Sequence, residues 1–238
     1  MPLPKPSVPV YDLIIPSTKK SIKYRPFLVK EEKILLIAME SQDEKMIRDS
    51  VINILKSCII TKGVKIEQLA MFDVEYIFLR IRSKSVGEKI QLKFTSKDDG
   101  QTPIEYELDL ETVEVQFPKN HNSKIALSET SGFVMKYPGF EQFLNSQILQ
   151  KNPSTEDIFN IIINCIDKIY DGIEVWDANL TPKKEITEYV EALTAKQFEL
   201  IQEFFITMPK LIHKVNLTNP KTGVESEYAI EGLANFFG

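Results

Sequence analysis

The sequence predicts an α+β protein in which helices pack on small antiparallel β-hairpins and a meander, with a helix-rich second half. Three observations support this prediction. Apolar and polar residues alternate in several short stretches that turn residues separate, as in antiparallel strands. Apolar residues recur at helical spacing in longer stretches, which dominate the sequence after residue 139. Of the 238 residues, 43% are hydrophobic and 26% are charged, which is typical of globular domains.

The predicted organisation is an arm followed by two regions. Residues 1–9 contain four prolines, and each ring fixes φ and removes an N–H donor, so this arm is expected to be extended. Residues 10–138 are expected to form an N-terminal α+β region. Residues 139–238 are expected to be helical with a C-terminal β-hairpin. The two regions are either separate halves or one continuous domain.

The N-terminal region begins with a predicted hairpin, in which 'VYDLIIP' and 'SIKYR' flank a polar turn. Pro26 disfavours helical backbone at Arg25, so the second strand ends there and a helix follows in 'LVKEEKILLIAMES'. Glu31 and Glu32 lie in the first turn of this helix, where carboxylates interact favourably with the positive end of the helix dipole. A second helix is predicted in 'SQDEKMIRDSVINILKSCII'.

A third helix is predicted after Gly63, in 'IEQLAMFDVEYIFLRIRSKSVGE'. Arg80, Arg82 and Lys84 near its end are interpreted as a solvated basic face. From Glu88 the apolar period shifts towards two. The stretches 'EKIQLKFTS', 'IEYELDL' and 'VEVQF' therefore predict three strands of an antiparallel meander.

The remaining elements follow the same two periods. Short strands are predicted in 'SKIALS' and 'SGFVMKY', and a helix begins at Pro153 and Ser154 in 'PSTEDIFNIIINCIDKIYDG' and closes at Gly172. A short strand is then predicted in 'IEVWDANLT'. Two helices follow in 'PKKEITEYVEAL' and 'AKQFELIQEFFITM', and 'KLIHKVNL' and 'VESEYAI' form a terminal hairpin.

The net charge and the two cysteines limit the classes of partner and the cellular compartment that we expect for this protein. The net charge of -5 provides no global positive field for nucleic acid or anionic lipid, so neither is expected as a partner. The alternative is a local nucleic-acid patch formed by Lys19, Lys20, Lys23, Arg25, Lys30 and Lys33. No apolar run approaches the roughly 20 residues of a membrane span, and no signal segment is evident. Cys58 and Cys165 lie in apolar runs and are expected to be buried free thiols in a reducing cytosol.

The sequence contains no motif that indicates catalysis. A P-loop, G-x-G-x-x-G, H-E-x-x-H and G-x-S-x-G are all absent from it. His121 and His213 are interpreted as surface or packed strand residues. Two separated cysteines and two distant histidines do not supply a tetrahedral zinc site. No catalysis, cofactor or metal is therefore expected, and the alternative is an enzyme with an unrecognised carboxylate site.

Short blocks along nearly the whole chain resemble one family. The blocks are 'IPST', 'YRPFLVKEEKILL', 'FDVEYIFL', 'KSVGE', 'MKYP', 'MPKL' and 'EGLANFF'. In this order they resemble the baseplate hub assembly family of T4-type contractile-tailed bacteriophages. The resemblance implies a chaperone-like viral assembly protein that binds other phage baseplate hub proteins in the host bacterial cytoplasm during infection. The alternative is a structural subunit that is retained in the hub of the virion tail baseplate.

The resemblance also directs attention to residues that could contact hub proteins. These are members of the proline arm, the junction between hairpin and helix, and the terminal aromatic pair, namely Pro4, Pro6, Tyr24, Arg25, Phe27, Phe236 and Phe237. Aromatic residues and arginine often dominate interface energies. The alternative is that these aromatic side chains close the core.

The sequence departs from some relatives at two hairpins. Those relatives carry paired cysteines in the hairpin after 'KSVGE' and in the last hairpin, as if for small metal-bound ribbons. This chain has 'KFTSKDDGQTP' and 'NLTNPKTGVES' at these places. Metal binding is therefore not expected, and turn chemistry and packing must hold the two hairpins.

Overall fold

The computed structural model describes residues 6–41, 43–140 and 154–232. These residues form six α-helices and eleven strands, and the strands belong to antiparallel sheets of two to four members. The predicted α+β class is confirmed. Backbone contacts divide the chain into two compact units. The described parts of Met1–Ile66, Phe72–Gln116 and Lys210–Gly238 form the first unit, and those of Glu67–Met71 and Phe117–Pro209 form the second.

The first unit begins with the predicted hairpin. Strands β1 (Tyr11–Ile14) and β2 (Ser21–Tyr24) pair in antiparallel register. Helices α1 (Val29–Ser41) and α2 (Glu44–Cys58) follow, as predicted. The α2 side chains that face inward are buried almost completely, and they include Val51, Ile54, Leu55 and Cys58.

The third helix, α3 (Met71–Val86), is buried along most of its length. A 3-10 turn, Ile66–Gln68, precedes it. The interpretation of its basic residues as a solvated face is wrong at Arg80. This guanidinium is buried and donates to the carbonyl oxygens of Leu110 and Val113, at 2.6 and 2.8 Å. A charged donor is stable there because two carbonyls and the Glu114 carboxylate, at 2.8 Å, accept from it.

The predicted meander is correct for two strands and wrong for the third. Strands β3 (Lys89–Thr95) and β4 (Pro103–Asp109) form a hairpin. After β4 the Asp109 carboxylate accepts from the Glu111 N–H at 2.9 Å and starts a 3-10 turn, Leu110–Thr112, which redirects the chain.

The third strand of the predicted meander joins the terminal hairpin instead. Strand β5 (Val115–Gln116) pairs with β10 (Lys210–Thr218), which pairs with β11 (Glu225–Glu231). Apolar side chains of α3, β3, β4, β10, β11 and residues 110–113 form one core cluster of the first unit. This core contains Tyr76, Leu79, Ile90, Leu108, Leu110, Val113, Leu211 and Ile230.

The second unit is built on one four-stranded antiparallel sheet in the order β6-β7-β8-β9. Its strands are β6 (Lys124–Ala126), β7 (Ser131–Met135), β8 (Ile166–Asp171) and β9 (Glu174–Asp177). Three helices accompany the sheet, namely α4 (Thr155–Cys165), α5 (Lys183–Glu191) and α6 (Ala195–Ile206). The shared core includes Phe133, Cys165, Ile201 and Phe204.

The prediction of one helix up to Gly172 is wrong after Cys165. The helix begins as predicted, with a capping box between Ser154 and Asp157. Residues 166–171 then form β8, which pairs with β7 on one side and β9 on the other. Asp171 and Gly172 begin a tight hairpin turn, in which Gly172 has a φ of 59°. Pairing on both edges decides against the helical spacing of the same residues.

Candidate interaction surfaces

The junction between the hairpin and α1 is held by Arg25 and Glu31. The Arg25 guanidinium donates to both carboxylate oxygens of Glu31, at 2.9 and 3.2 Å, and to the Pro26 carbonyl oxygen at 2.8 Å. The Leu28 N–H donates to the same carboxylate at 2.5 Å, so Glu31 also satisfies a free donor at the start of α1. Glu31 is buried. Its position therefore reflects a specific ion pair in addition to the helix dipole.

The electrostatics of the junction agree with a structural role. Burial opposes ionisation of Glu31, but hydrogen bonds from Arg25 and from the Leu28 N–H outweigh it and lower the pKa of Glu31. The hydrogen bond to Glu31 raises the pKa of Arg25. Burial raises the pKa of the neighbouring Cys58 thiol to about 11. Both described cysteines are free and buried, as predicted.

The structure places the predicted contact residues in different environments. Tyr24 and Phe27 are only 3% and 8% exposed, so their rings close the core and present little surface in this conformation. The Arg25 side chain is 18% exposed and engaged with Glu31. Pro6 is exposed. The other three predicted residues, Pro4, Phe236 and Phe237, lie outside the described residues.

Helix α1 buries one narrow side. The buried positions are Glu31, Leu35 and Ala38, which lie one turn apart on the helix. The run 'ILLIAM', Ile34–Met39, contains six consecutive apolar residues. Because neighbouring residues on a helix point in different directions, most of these side chains cannot reach the buried side. This run is the sequence signal for an exposed apolar face.

We call the side opposite to these buried residues the outer face of α1. It consists of Val29, Lys33, Leu36, Ile37 and Glu40, all of them exposed. Val29, Leu36 and Ile37 are 81%, 53% and 51% exposed. An ordinary surface helix carries polar residues on its outward side. The outer face of α1 is therefore an apolar surface bordered by one positive and one negative side chain.

A second apolar surface lies at the edge of the sheet in the second unit. We call it the β9 patch, and it consists of Ile173, Val175, Trp176 and Leu180. Ile173 is fully exposed at the hairpin tip, and Leu180 is 85% exposed in the turn after β9. Strand β9 is the last strand of its sheet. Val175 and Trp176 are consecutive in β9, so their side chains lie on opposite faces of this edge. Exposed large apolar side chains at the edge of a sheet are typical of interaction surfaces.

Two polar turns in the first unit are joined by side-chain hydrogen bonds. Buried Asn219 donates its amide to Asp98 at 2.9 Å and to Asp99 at 3.2 Å, and the Thr222 hydroxyl donates to Asp98 at 2.6 Å. Bonds from Ser96, Thr222 and Asn219 lower the pKa of Asp98 to about 2. These are the turns at which some relatives were expected to carry cysteine pairs. In this chain, carboxylate, amide and hydroxyl groups hold them together.

The two histidines occupy half-buried sites in different units. The His121 ring lies 3.0 Å from the Thr207 hydroxyl and 3.1 Å from the Tyr137 hydroxyl, and it packs on Phe204. His213 in β10 lies 3.3 Å from the Tyr106 hydroxyl. Burial lowers the pKa of both imidazoles. Each ring thus acts as a packed, hydrogen-bonded side chain.

Two further observations concern the described ranges alone. No group of three or more histidine, cysteine, aspartate or glutamate side chains is arranged to hold a metal ion in residues 6–41, 43–140 and 154–232. None of the helices in the same ranges combines the length and the apolar character that a membrane span requires.

Comparison with known proteins gives one match. The family model described as "T4 bacteriophage base plate protein" matches residues 8–238, which is nearly the whole chain. No curated protein and no solved structure matches significantly. Because the match covers the hairpin, all described helices and both units, this chain belongs to the T4 bacteriophage base plate protein family.

Proposed function

We propose that this chain is a chaperone-like assembly protein of the phage baseplate hub. In this role it binds other hub proteins while the hub is built in the host bacterial cytoplasm, and it makes or breaks no covalent bond. Membership of the baseplate family is the observation that carries the proposal, since baseplate proteins act by binding one another. The protein holds a hub subunit until the correct partner, which binds that subunit more tightly, displaces it.

The β9 patch supports a binding role. Trp176 is 42% exposed and Val175 is 60% exposed, so both keep a large apolar area in contact with water. Tryptophan is among the residues that most often dominate interface energies. Ile173 before the strand and Leu180 after it are also exposed. We assign this patch to contact with another baseplate protein.

The internal use of polar groups supports a role without catalysis. Glu31 is bound to Arg25, Asp98 is bound to Asn219, and His121 lies between two hydroxyl groups. Catalytic groups usually lie in a cleft with reactive atoms free to meet a substrate. Here these groups serve the fold instead.

Purification from infected cells tests the proposal. A tagged chain is recovered from soluble assembly intermediates and from finished tails, and the associated proteins are identified by mass spectrometry. We expect hub proteins with the chain in the intermediates and no chain in finished tails. A fixed stoichiometry in finished tails would identify a retained structural subunit and contradict the assembly role. No baseplate protein in either fraction would contradict the binding role.

Substitution in the β9 patch tests the assigned surface. We expect Trp176→Asp to reduce the recovered hub proteins at least about 30-fold, because loss of a central aromatic contact typically costs about 2 kcal/mol or more. Ile206→Asp is the matched control, since Ile206 is also apolar and 76% exposed in the second unit. Circular dichroism checks that both variants are folded. Equal recovery with the two variants would place the contact elsewhere.

A further inference from the structure

The outer face of α1 is apolar at its centre, like a surface that another protein covers. Val29, Leu36 and Ile37 all remain more than half exposed, and no described residue of the chain buries them. Large apolar side chains that lie together on the exposed side of a helix are typical of an interaction surface. We therefore expect the outer face to bind a partner. The positions of its two charged residues indicate the kind of partner.

Lys33 and Glu40 lie on the same side of α1, on either side of Leu36 and Ile37. Both charged side chains are exposed, and neither forms an ion pair among the described residues. Their midpoint along the helix falls between Leu36 and Ile37. The face thus has an apolar centre with a positive group towards one end and a negative group towards the other.

This arrangement is self-complementary when two copies of α1 run antiparallel. Suppose that a two-fold axis passes between Leu36 and Ile37. Lys33 then lies about 5 Å from this axis along the helix, and Glu40 of the partner subunit lies at the same distance in the same direction. The two charges face each other, and the symmetry produces the pair twice. Leu36 faces Ile37 of the partner subunit.

A parallel pair has the opposite charge relation. In register, it would place Lys33 opposite Lys33 of the partner subunit and Glu40 opposite Glu40 of the partner subunit, and like charges repel. The charges therefore select the antiparallel arrangement. The surface of a different protein would have to be complementary to this face, but the face itself need not be self-complementary. A two-fold symmetric interface requires a face that is complementary to itself about one axis, and the outer face of α1 meets this requirement.

We propose that the outer face of α1 is a self-association surface, through which two copies of this chain form an antiparallel dimer. The dimer covers Leu36 and Ile37 and pairs each Lys33 with Glu40 of the partner subunit. This inference is independent of the proposed hub-binding function, because it concerns the purified chain alone and a different surface.

Sedimentation equilibrium of the purified full chain tests the proposal over a range of concentrations. We expect a rise in mass from 27.3 kDa to twice that value. Leu36→Glu should weaken the dimer by about 100-fold or more, because it places a charge at the apolar centre. Val224→Glu is the matched control, since Val224 is 47% exposed in the same unit, and it should leave the dimer unchanged.

Charge reversal tests the antiparallel register. Lys33→Glu alone and Glu40→Lys alone each create two like-charge contacts, so each should weaken the dimer about tenfold at low salt. The double variant Lys33→Glu/Glu40→Lys restores opposite charges and should recover the dimer. High salt should reduce the effect of the single reversals but not that of Leu36→Glu.

Several outcomes would overturn the proposal. A chain that remains monomeric at every concentration would do so, as would a dimer that Leu36→Glu does not weaken. Failure of the double reversal to recover the dimer would exclude the antiparallel register. A monomer that still recovers hub proteins from infected cells would refute self-association and leave the proposed function intact. If Leu36→Glu abolished that recovery in a monomeric chain, the face would belong to a hub protein instead.

Discussion

At the scale of residues, the buried charges of Arg80 and Glu31 have specific partners. Arg80 donates to two backbone carbonyls and to Glu114, and Arg25 holds Glu31 at the start of α1. Arg80 ties α3 to a segment 30 residues later in the chain, and Arg25 ties the end of β2 to the start of α1. Both contacts matter because a buried charge without its partner is costly. Sequence spacing located these charges but did not reveal which atoms they bind.

The ion pair and the helix dipole make different predictions for Glu31 and Glu32. Glu31→Gln keeps the side-chain shape but removes the charge that binds Arg25, so it should lower the free energy of unfolding by about 1–3 kcal/mol. Glu32→Gln is the matched control in the same helical turn and should cost less than about 0.5 kcal/mol. Urea denaturation measures both. Equal losses would show that only the dipole acts.

The polar turns give a second residue-scale prediction. Asn219→Ala removes the buried amide that donates to Asp98 and Asp99, and it should lower the free energy of unfolding by about 1–3 kcal/mol because the hydrogen bonds that join the two turns are lost. Lys221→Ala, in the same turn but exposed, should change it by less than about 0.5 kcal/mol. Urea denaturation again provides the measurement. A harmless Asn219→Ala would mean that packing alone holds the turns.

At the scale of elements, pairing partners override local periodicity. Residues 166–171 continue the helical spacing of α4, yet they form β8 because β7 and β9 flank them. The stretch after Asp109 has the alternation of a third meander strand, yet it pairs with β10 from the other end of the chain. Helices with a cap and one apolar side, such as α6, were predictable from local sequence.

The close packing of β6 and β8 against β7 at Gly132 gives a prediction at the scale of elements. A Cβ at Gly132 would overlap the Ile125 carbonyl oxygen and the Tyr170 ring. Gly132→Ala should therefore lower the free energy of unfolding by about 2 kcal/mol or more. Gly63→Ala is the comparison, because Gly63 has a φ of 84° but open space around it, and it should cost about 1 kcal/mol. Thermal and urea unfolding compare the two, and a smaller loss for Gly132→Ala would contradict the close approach.

At the scale of the whole molecule, the two histidines give stability a pH dependence. Burial lowers the pKa of both His121 and His213 below the ordinary value. The unfolded chain then binds more protons near that value, so this contribution is present above about pH 6.5 and is lost as the pH falls. Carboxylates with lowered pKa, such as Glu31, lose their contribution at lower pH, below about 4.5.

We therefore expect the urea midpoint to fall between about pH 7 and pH 5. The double variant His121→Gln/His213→Gln should show a flatter profile across this range, and each single variant should show an intermediate one. Urea titrations at several pH values measure the midpoints. An unchanged slope in the double variant would assign the pH dependence to other groups.

Family membership places the whole molecule among phage baseplate proteins, and the short blocks in the sequence had indicated a related baseplate family. The burial of the predicted contact residues was less predictable. Tyr24 and Phe27 have the composition of an interface, but they are buried in the first unit. Exposed apolar side chains lie on α1 and beside β9, as well as at other described positions, because burial depends on which neighbours an element acquires.

The sequence by itself determined the α+β class, the first hairpin, the starts of the capped helices and the likeness to a phage baseplate family. These features depend on local patterns, namely turn residues, capping residues and apolar spacing over one element. The tertiary structure decided the fate of β5 and β8, the roles of Arg80 and Asn219, and which faces remain exposed. Those features depend on contacts between residues far apart in the chain, and spacing along one element does not specify them.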